Sequence, residues 1–175
     1  GTGPKAGGPD YLARFTARPA PATGPPGRPT TAQEAARRLA AAPPAPAEAP
    51  ESLPGPTGES NRLTWYPRAP VLCLGPGEAA AHAQAQAIRA LGGRAVEAPD
   101  LPPAALGGLT GFSGVLAWGE TAREAARALA ARPGPILPLI ATLPDRGHVT
   151  IERHTCIDTT AAGGNARLLA EVAED

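Results

Sequence analysis

The stretch VLCLGPGEAAAHA, Val71 to Ala83, carries the sharpest chemical pattern in the chain. An apolar run leads into Gly75-Pro76-Gly77-Glu78-Ala79-Ala80, which fits G-x-G-x-x-A, and a helical pattern follows. Glu97 stands 22 residues after Gly75, at the end of the next apolar run. In a dinucleotide-binding fold the glycines permit a tight turn and close backbone approach, and amides at the helix N-terminus cradle a pyrophosphate. An acid at about that distance then holds the ribose hydroxyls. Gly75, Gly77 and Glu97 are therefore the candidate cofactor-binding residues. The same letters also describe an ordinary strand-to-helix turn in a chain rich in alanine and glycine, and the pattern alone leaves both readings open.

Other reactive side chains form no such set. A catalytic thiol needs a nearby base or a helix N-terminus to lower its pKa. Cys73 sits inside an apolar run and reads as core. Cys156 lies two residues from His154, but strand residues i and i+2 share a face without making a dyad, so Cys156 reads as packing too. His82 falls with Glu78, Gln86 and Arg89 on one polar helical stripe, and His148 lies in a turn. Neither catalytic residues nor metal ligands are expected in this chain. Trp65 and Tyr66 read as a contact with another domain or subunit, the alternative being the edge of the local core. Near the end, TTAAGGN (Thr159 to Asn165) offers amides, hydroxyls, one carboxamide and little bulk, which suits a segment pressed closely against something else.

These residues need elements to hold them. Apolar runs VLCL, RAVEA, GVLAW and ILPLIA read as strands, with Pro138 arguing for an edge or a bend in the last. EAAAHAQAQAIRAL and TAREAARALAARPG read as helices between them, the second with Thr121 and Glu124 as a capping box and Gly134 past its end. RLTWY and VTIERHTCID add strands, and TTAQEAARRLAAA a short capped helix over residues 31–42. Strands alternating with helices predict an α/β fold: a small, mainly parallel, Rossmann-like sheet with flanking helices, preceded by an extended Pro/Gly-rich arm.

Composition bounds the rest. Of 175 residues, 21 are glycine and 23 proline, concentrated in the first third, so that part reads as arm and linker and the remainder as one globular domain. The net charge is zero and the arginines are scattered, which excludes the basic stripe of a nucleic-acid binder. No apolar run approaches the ~20 residues of a membrane span. With no methionine and a glycine at position 1, the chain reads as a piece of a longer polypeptide. A cytoplasmic location is expected.

Several long strings in series resemble one family, bacterial proline utilization A, at its C-terminal end. GTGPKAGGPDYLARF (1–15) is similar to the end of that family's aldehyde dehydrogenase module. LPGPTGESNRLTWYPRAPVLCLG (53–75) resembles its L-P-G-P-T-G-E-x-N strand and the P-R-x-x-V-L-C-L that follows. IERHTCIDTTAAGGNARLL resembles its terminal motif, with Asp158 and Arg167 as departures. The resemblance implies a division into residues 1–15, a linker over 16–61, and a C-terminal domain over 62–175.

It also implies a bifunctional enzyme. An FAD-dependent proline dehydrogenase makes pyrroline-5-carboxylate, and an NAD-dependent L-glutamate γ-semialdehyde dehydrogenase completes the oxidation, with the intermediate passing through an internal cavity. The family's catalytic cysteine, NAD site and flavin barrel all lie upstream of Gly1. This chain is therefore expected to be inactive alone and to hold no cofactor. Its partners would be the upstream modules of the same polypeptide, with homo-oligomers formed by the whole enzyme. The family's C-terminal domain looks like a degenerate nucleotide-binding fold, docked on a strand flap. On this resemblance Thr159, Thr160, Ala161, Ala162, Gly163, Gly164 and Asn165 form a lid over the cavity: the glycines permit tight approach and Asn165 ties backbone groups together. The alternative is a free-standing NAD-binding module using Gly75, Gly77 and Glu97.

Overall fold

A computed structural model describes residues 4–16, 18–21 and 24–158. The chain divides into two compact units. One comprises Gly1–Pro44 and Pro67–Thr150, the other Ala45–Tyr66 and Ile151–Asp175. The linker expected over residues 16–61 thus contributes to both.

The larger unit opens with helix α1 (Ala32–Ala40), whose predicted capping box forms: Glu34 N–H donates to Thr31 Oγ1 and Thr31 N–H to the Glu34 carboxylate. That pairing holds the Glu34 carboxyl below its usual range. After β1 (Glu51–Leu53) and β2 (Glu59–Pro67) of the smaller unit, the larger unit resumes with β3 (Val71–Cys73), α2 (Gly77–Ala90), β4 (Ala95–Glu97), β5 (Gly114–Leu116), α3 (Thr121–Ala130) and β6 (Leu139–Ile140). The parallel sheet has the order β4-β3-β5-β6. From β3 the chain steps outward to β4, then returns past β3 to β5 and β6. This reversal creates a switch point between β3 and β5, where open α/β sheets place their ligand crevice, beyond the C-terminal strand ends.

Alternation along the strands builds the core. Leu72, Leu74, Val115 and Ala117 face one side with Ala35 and Leu39 of α1 and Ala122, Ala125 and Leu129 of α3. Val71, Cys73, Leu116 and Trp118 face the other with Ala80, Ala85 and Ile88 of α2. A sheet buried on both faces explains why its strands read as unbroken apolar runs.

Several details depart from expectation. Helix α3 starts at Thr121 itself: Glu120 already has helical φ and ψ and no side chain caps the end, so the Thr121–Glu124 box does not form there. The strand ILPLIA shrinks to Leu139–Ile140, because Pro138 has no N–H for the ladder, although its carbonyl still accepts from Val115. Edge position for β6 follows, as predicted.

The smaller unit is an antiparallel sheet in the order β1-β2-β7, with β7 running Thr150–Asp158. β1 pairs with β2 through Glu51↔Leu63, Ser52↔Arg62 and Leu53↔Asn61. The proline-rich stretch before β2 is therefore partly strand. Asn61, Leu63 and Trp65 are buried and the residues between them are not, the period of two a half-covered sheet requires.

Candidate functional site

The G-x-G-x-x-A segment lies where the pattern places it, as the turn from β3 into α2. Gly75 has φ +91° and Gly77 φ +71°, conformations that L side chains rarely adopt. A Cβ on Gly75 would meet Gly77 N at 2.6 Å, so the first glycine serves the turn itself. A Cβ on Gly77 would meet the carbonyl oxygen of Pro25 at 2.5 Å. The second glycine thus does what the motif asks, admitting something to close backbone approach, and the something is the chain's own arm.

The amides of the turn are likewise taken internally. Gly77 N–H, at the start of α2, donates to Asp100 Oδ1 at 3.0 Å. The other oxygen of that carboxylate accepts from Gly27 N–H at 2.6 Å. Asp100 is the one described non-glycine residue with positive φ, at +50°. Behind the turn, fully buried Gln84 accepts from Gly75 N–H at 2.9 Å and donates to Gly75 O at 2.8 Å. The turn is clamped from inside by a carboxamide and from outside by a carboxylate.

Glu97 stands at the end of β4 as predicted, but its carboxylate is engaged. Arg89 Nη1 lies 3.1 Å from Oε1 and His82 Nδ1 3.4 Å from Oε2. His82 Nε2 lies 3.0 Å from Gln86 Nε2, which suits the tautomer with the proton on Nδ1. The Glu97 backbone carbonyl accepts from Arg38 Nη1 at 2.7 Å. Beside β4 an open groove of about 1150 Å³ is lined by Glu97, Arg89, His82 and Arg38 and by Arg94, whose guanidinium donates to the carbonyls of Pro43 and Arg68.

The remaining candidates are not brought together. Cys73 is buried, and burial first, with the Glu97 charge second, pushes its thiol up to about 12, leaving it unreactive. Cys156 corrects the expectation of packing: it is exposed, its Sγ 3.4 Å from Glu59 Oε1, and that hydrogen bond raises its pKa. Residues 153–156 of the edge strand β7 are all exposed, so Cys156 and its i+2 neighbour His154 have no core to face. His148 accepts from Asp145 N–H at 3.0 Å and closes a one-turn 3₁₀ segment. Among the described residues no three His, Cys, Asp or Glu side chains could jointly hold a metal, and no helix is long and apolar enough to cross a membrane.

Trp65 and Tyr66 part company, as strand neighbours must. Trp65 is buried, whereas Tyr66 is 41% exposed with the Arg153 guanidinium 5.2 Å from its ring centroid. The lid candidates Thr159 to Asn165 lie outside the described residues, one position beyond the end of β7. The sequence pattern missed Gln84 and Asp100. Gln84 stood out only as a polar residue off the solvated stripe, and Asp100 gave no signal because its partners are 23 and 73 residues away.

Fold and turn together define a doubly wound parallel α/β module of the nucleotide-binding type, in which the corner that would receive a phosphate is filled by the module's own chain. No family model matches the chain. Bifunctional protein PutA of Salmonella typhimurium is 33% identical over 143 residues, covering 67% of this chain and 11% of the relative. Bifunctional protein PutA of Rhizobium meliloti is 33% identical over 216 residues, covering 97% and 18%. The chain belongs to the PutA family and spans between about a tenth and a fifth of the length of these curated relatives. An alignment of 216 positions on 175 residues means that the second relative carries additional residues in this region.

Proposed function

We propose that this chain is the C-terminal accessory portion of a bifunctional, cytoplasmic proline-oxidising enzyme. In this reading it contributes no catalytic group and helps close the cavity through which the intermediate aldehyde passes. The closed phosphate corner carries the reading. In a chain whose relatives are bifunctional PutA proteins, the nucleotide-binding architecture is kept as a scaffold, while the amide at the start of α2, Gly77 N–H, is spent on Asp100.

The lid assignment for Thr159 to Asn165 draws on the resemblance of IERHTCIDTTAAGGNARLL to the family's terminal motif. The chemistry required is modest. A lid over a reactive aldehyde excludes water and retains the intermediate, and small residues let its backbone lie close to the cavity wall. NAD and FAD belong to the upstream modules of the same polypeptide, and the whole enzyme forms homo-oligomers.

Removing residues 159–169 from the full-length enzyme tests this. NADH production from proline should fall several-fold and show a lag while released intermediate accumulates, with flavin reduction by proline unchanged. Equal loss of both activities, or no loss of either, contradicts the lid.

A further inference from the structure

The arm before α1 does more than lie against one turn. Leu143 N–H, beyond the end of β6, donates to Arg18 O at 2.9 Å, and Arg18 Nη1 donates to Pro144 O at 2.8 Å. Ala20 packs against the core on the α2 side of the sheet. Pro25 O lies over Gly77 beyond β3, and Gly27 N–H meets Asp100 beyond β4. Thr30, itself buried, then donates its N–H to Pro99 O at 2.8 Å. The described stretches 18–21 and 24–30 thus engage residues beyond the C-terminal ends of β6, β3 and β4 in turn. That line runs along the ligand crevice of a doubly wound sheet, past its switch point.

We propose that the arm is an intramolecular ligand: residues 18–21 and 24–30 occupy the cofactor crevice, Asp100 stands in for a phosphate at the α2 N-terminus, and the crevice has become the anchor for the segment that leads into the fold. Two features of this arrangement reproduce what a nucleotide demands, and a third ties the arm to them. A negative charge sits at the first free amide of a helix, where an anion is favoured. A glycine admits an oxygen where a Cβ would clash. A single anionic group bridges two backbone N–H donors, one from the fold and one from the seated molecule, here Gly77 and Gly27. The left-handed backbone of Asp100 is the conformational cost of aiming its carboxylate between them.

The test uses the full 175-residue chain and an Asp100→Gly variant, which permits the left-handed backbone and removes the side chain with its carboxylate. Amide exchange at Gly27 should accelerate at least tenfold, and Tm should fall by roughly 5 °C. Inorganic phosphate, added at constant ionic strength against chloride, should restore much of that Tm in the variant and leave the wild type unmoved. Unchanged exchange at Gly27 and Gly77 would overturn the proposal. So would a variant that loses protection yet ignores phosphate, or phosphate stabilising both proteins equally. Asp100→Asn serves if the glycine variant fails to fold, since it tolerates the same backbone and keeps one acceptor oxygen. One of the two amides must then lose protection, and retention of both would sink the idea.

Discussion

Trp118→Ala should lower the stability of the parallel-sheet unit by about 4 kcal/mol, the largest effect expected of any single truncation. Trp118 follows β5 and is 2% exposed, packed with Val71, Cys73, Leu116 and Ile140. Its indole N–H donates to Thr142 O at 3.3 Å, and its backbone N–H to Gly75 O at 3.0 Å. The side chain therefore fills the α2 face of the sheet and also ties the chain beyond β6 to it. Truncation leaves a cavity among residues fixed by the sheet, which collapse little, and strips Thr142 O of its donor. The loss amounts to a third or more of the stability typical of a small domain. Urea denaturation measures it as a fall in midpoint at unchanged slope. Ile136→Ala is the control: at 79% exposure it should lie within about 0.5 kcal/mol of wild type.

Gln84→Leu should cost about 3 kcal/mol although leucine fills nearly the same volume and is the better hydrophobe. The physical reason is asymmetric. Gly75 O keeps a donor in Trp118 N–H, but Gly75 N–H is buried and loses the Gln84 oxygen, its acceptor. An orphaned buried N–H carries its full desolvation cost, and apolar packing does not return it. Thermal denaturation of the variant measures the fall. A neutral or stabilising result would show that the turn finds another partner, and would remove the carboxamide from the account of why the turn is rigid.

Much of this fold was legible in the sequence because its parallel strands are buried on both faces. Runs such as VLCL and GVLAW need no long-range information to be recognised, and the helices between them announce their polar stripes. The antiparallel hairpin was harder. Glu51–Leu53 is three residues between proline-rich stretches, and only pairing with Asn61–Leu63 makes it a strand. The candidate site was legible in form but not in content. Gly75 and Gly77 mark a turn that admits close approach, and local sequence cannot say whether a nucleotide or a distant proline carbonyl does the approaching. Asp100 and Gly27 are separated by 73 residues, and their meeting is a property of topology. Glu97 sits at its predicted place, yet Arg89 and His82 engage its carboxylate from one helix away. The resemblance to proline utilization A rests on long strings rather than on this motif.

Calorimetric titration of the 175-residue chain with NAD, at high protein concentration and up to millimolar cofactor, tests the central claim most directly. A crevice filled by its own arm and a phosphate corner held by Asp100 predict a flat titration. Saturable heat in the wild-type chain, abolished by Gly77→Val or by Glu97→Ala, would contradict the account and make this fold a working dinucleotide site.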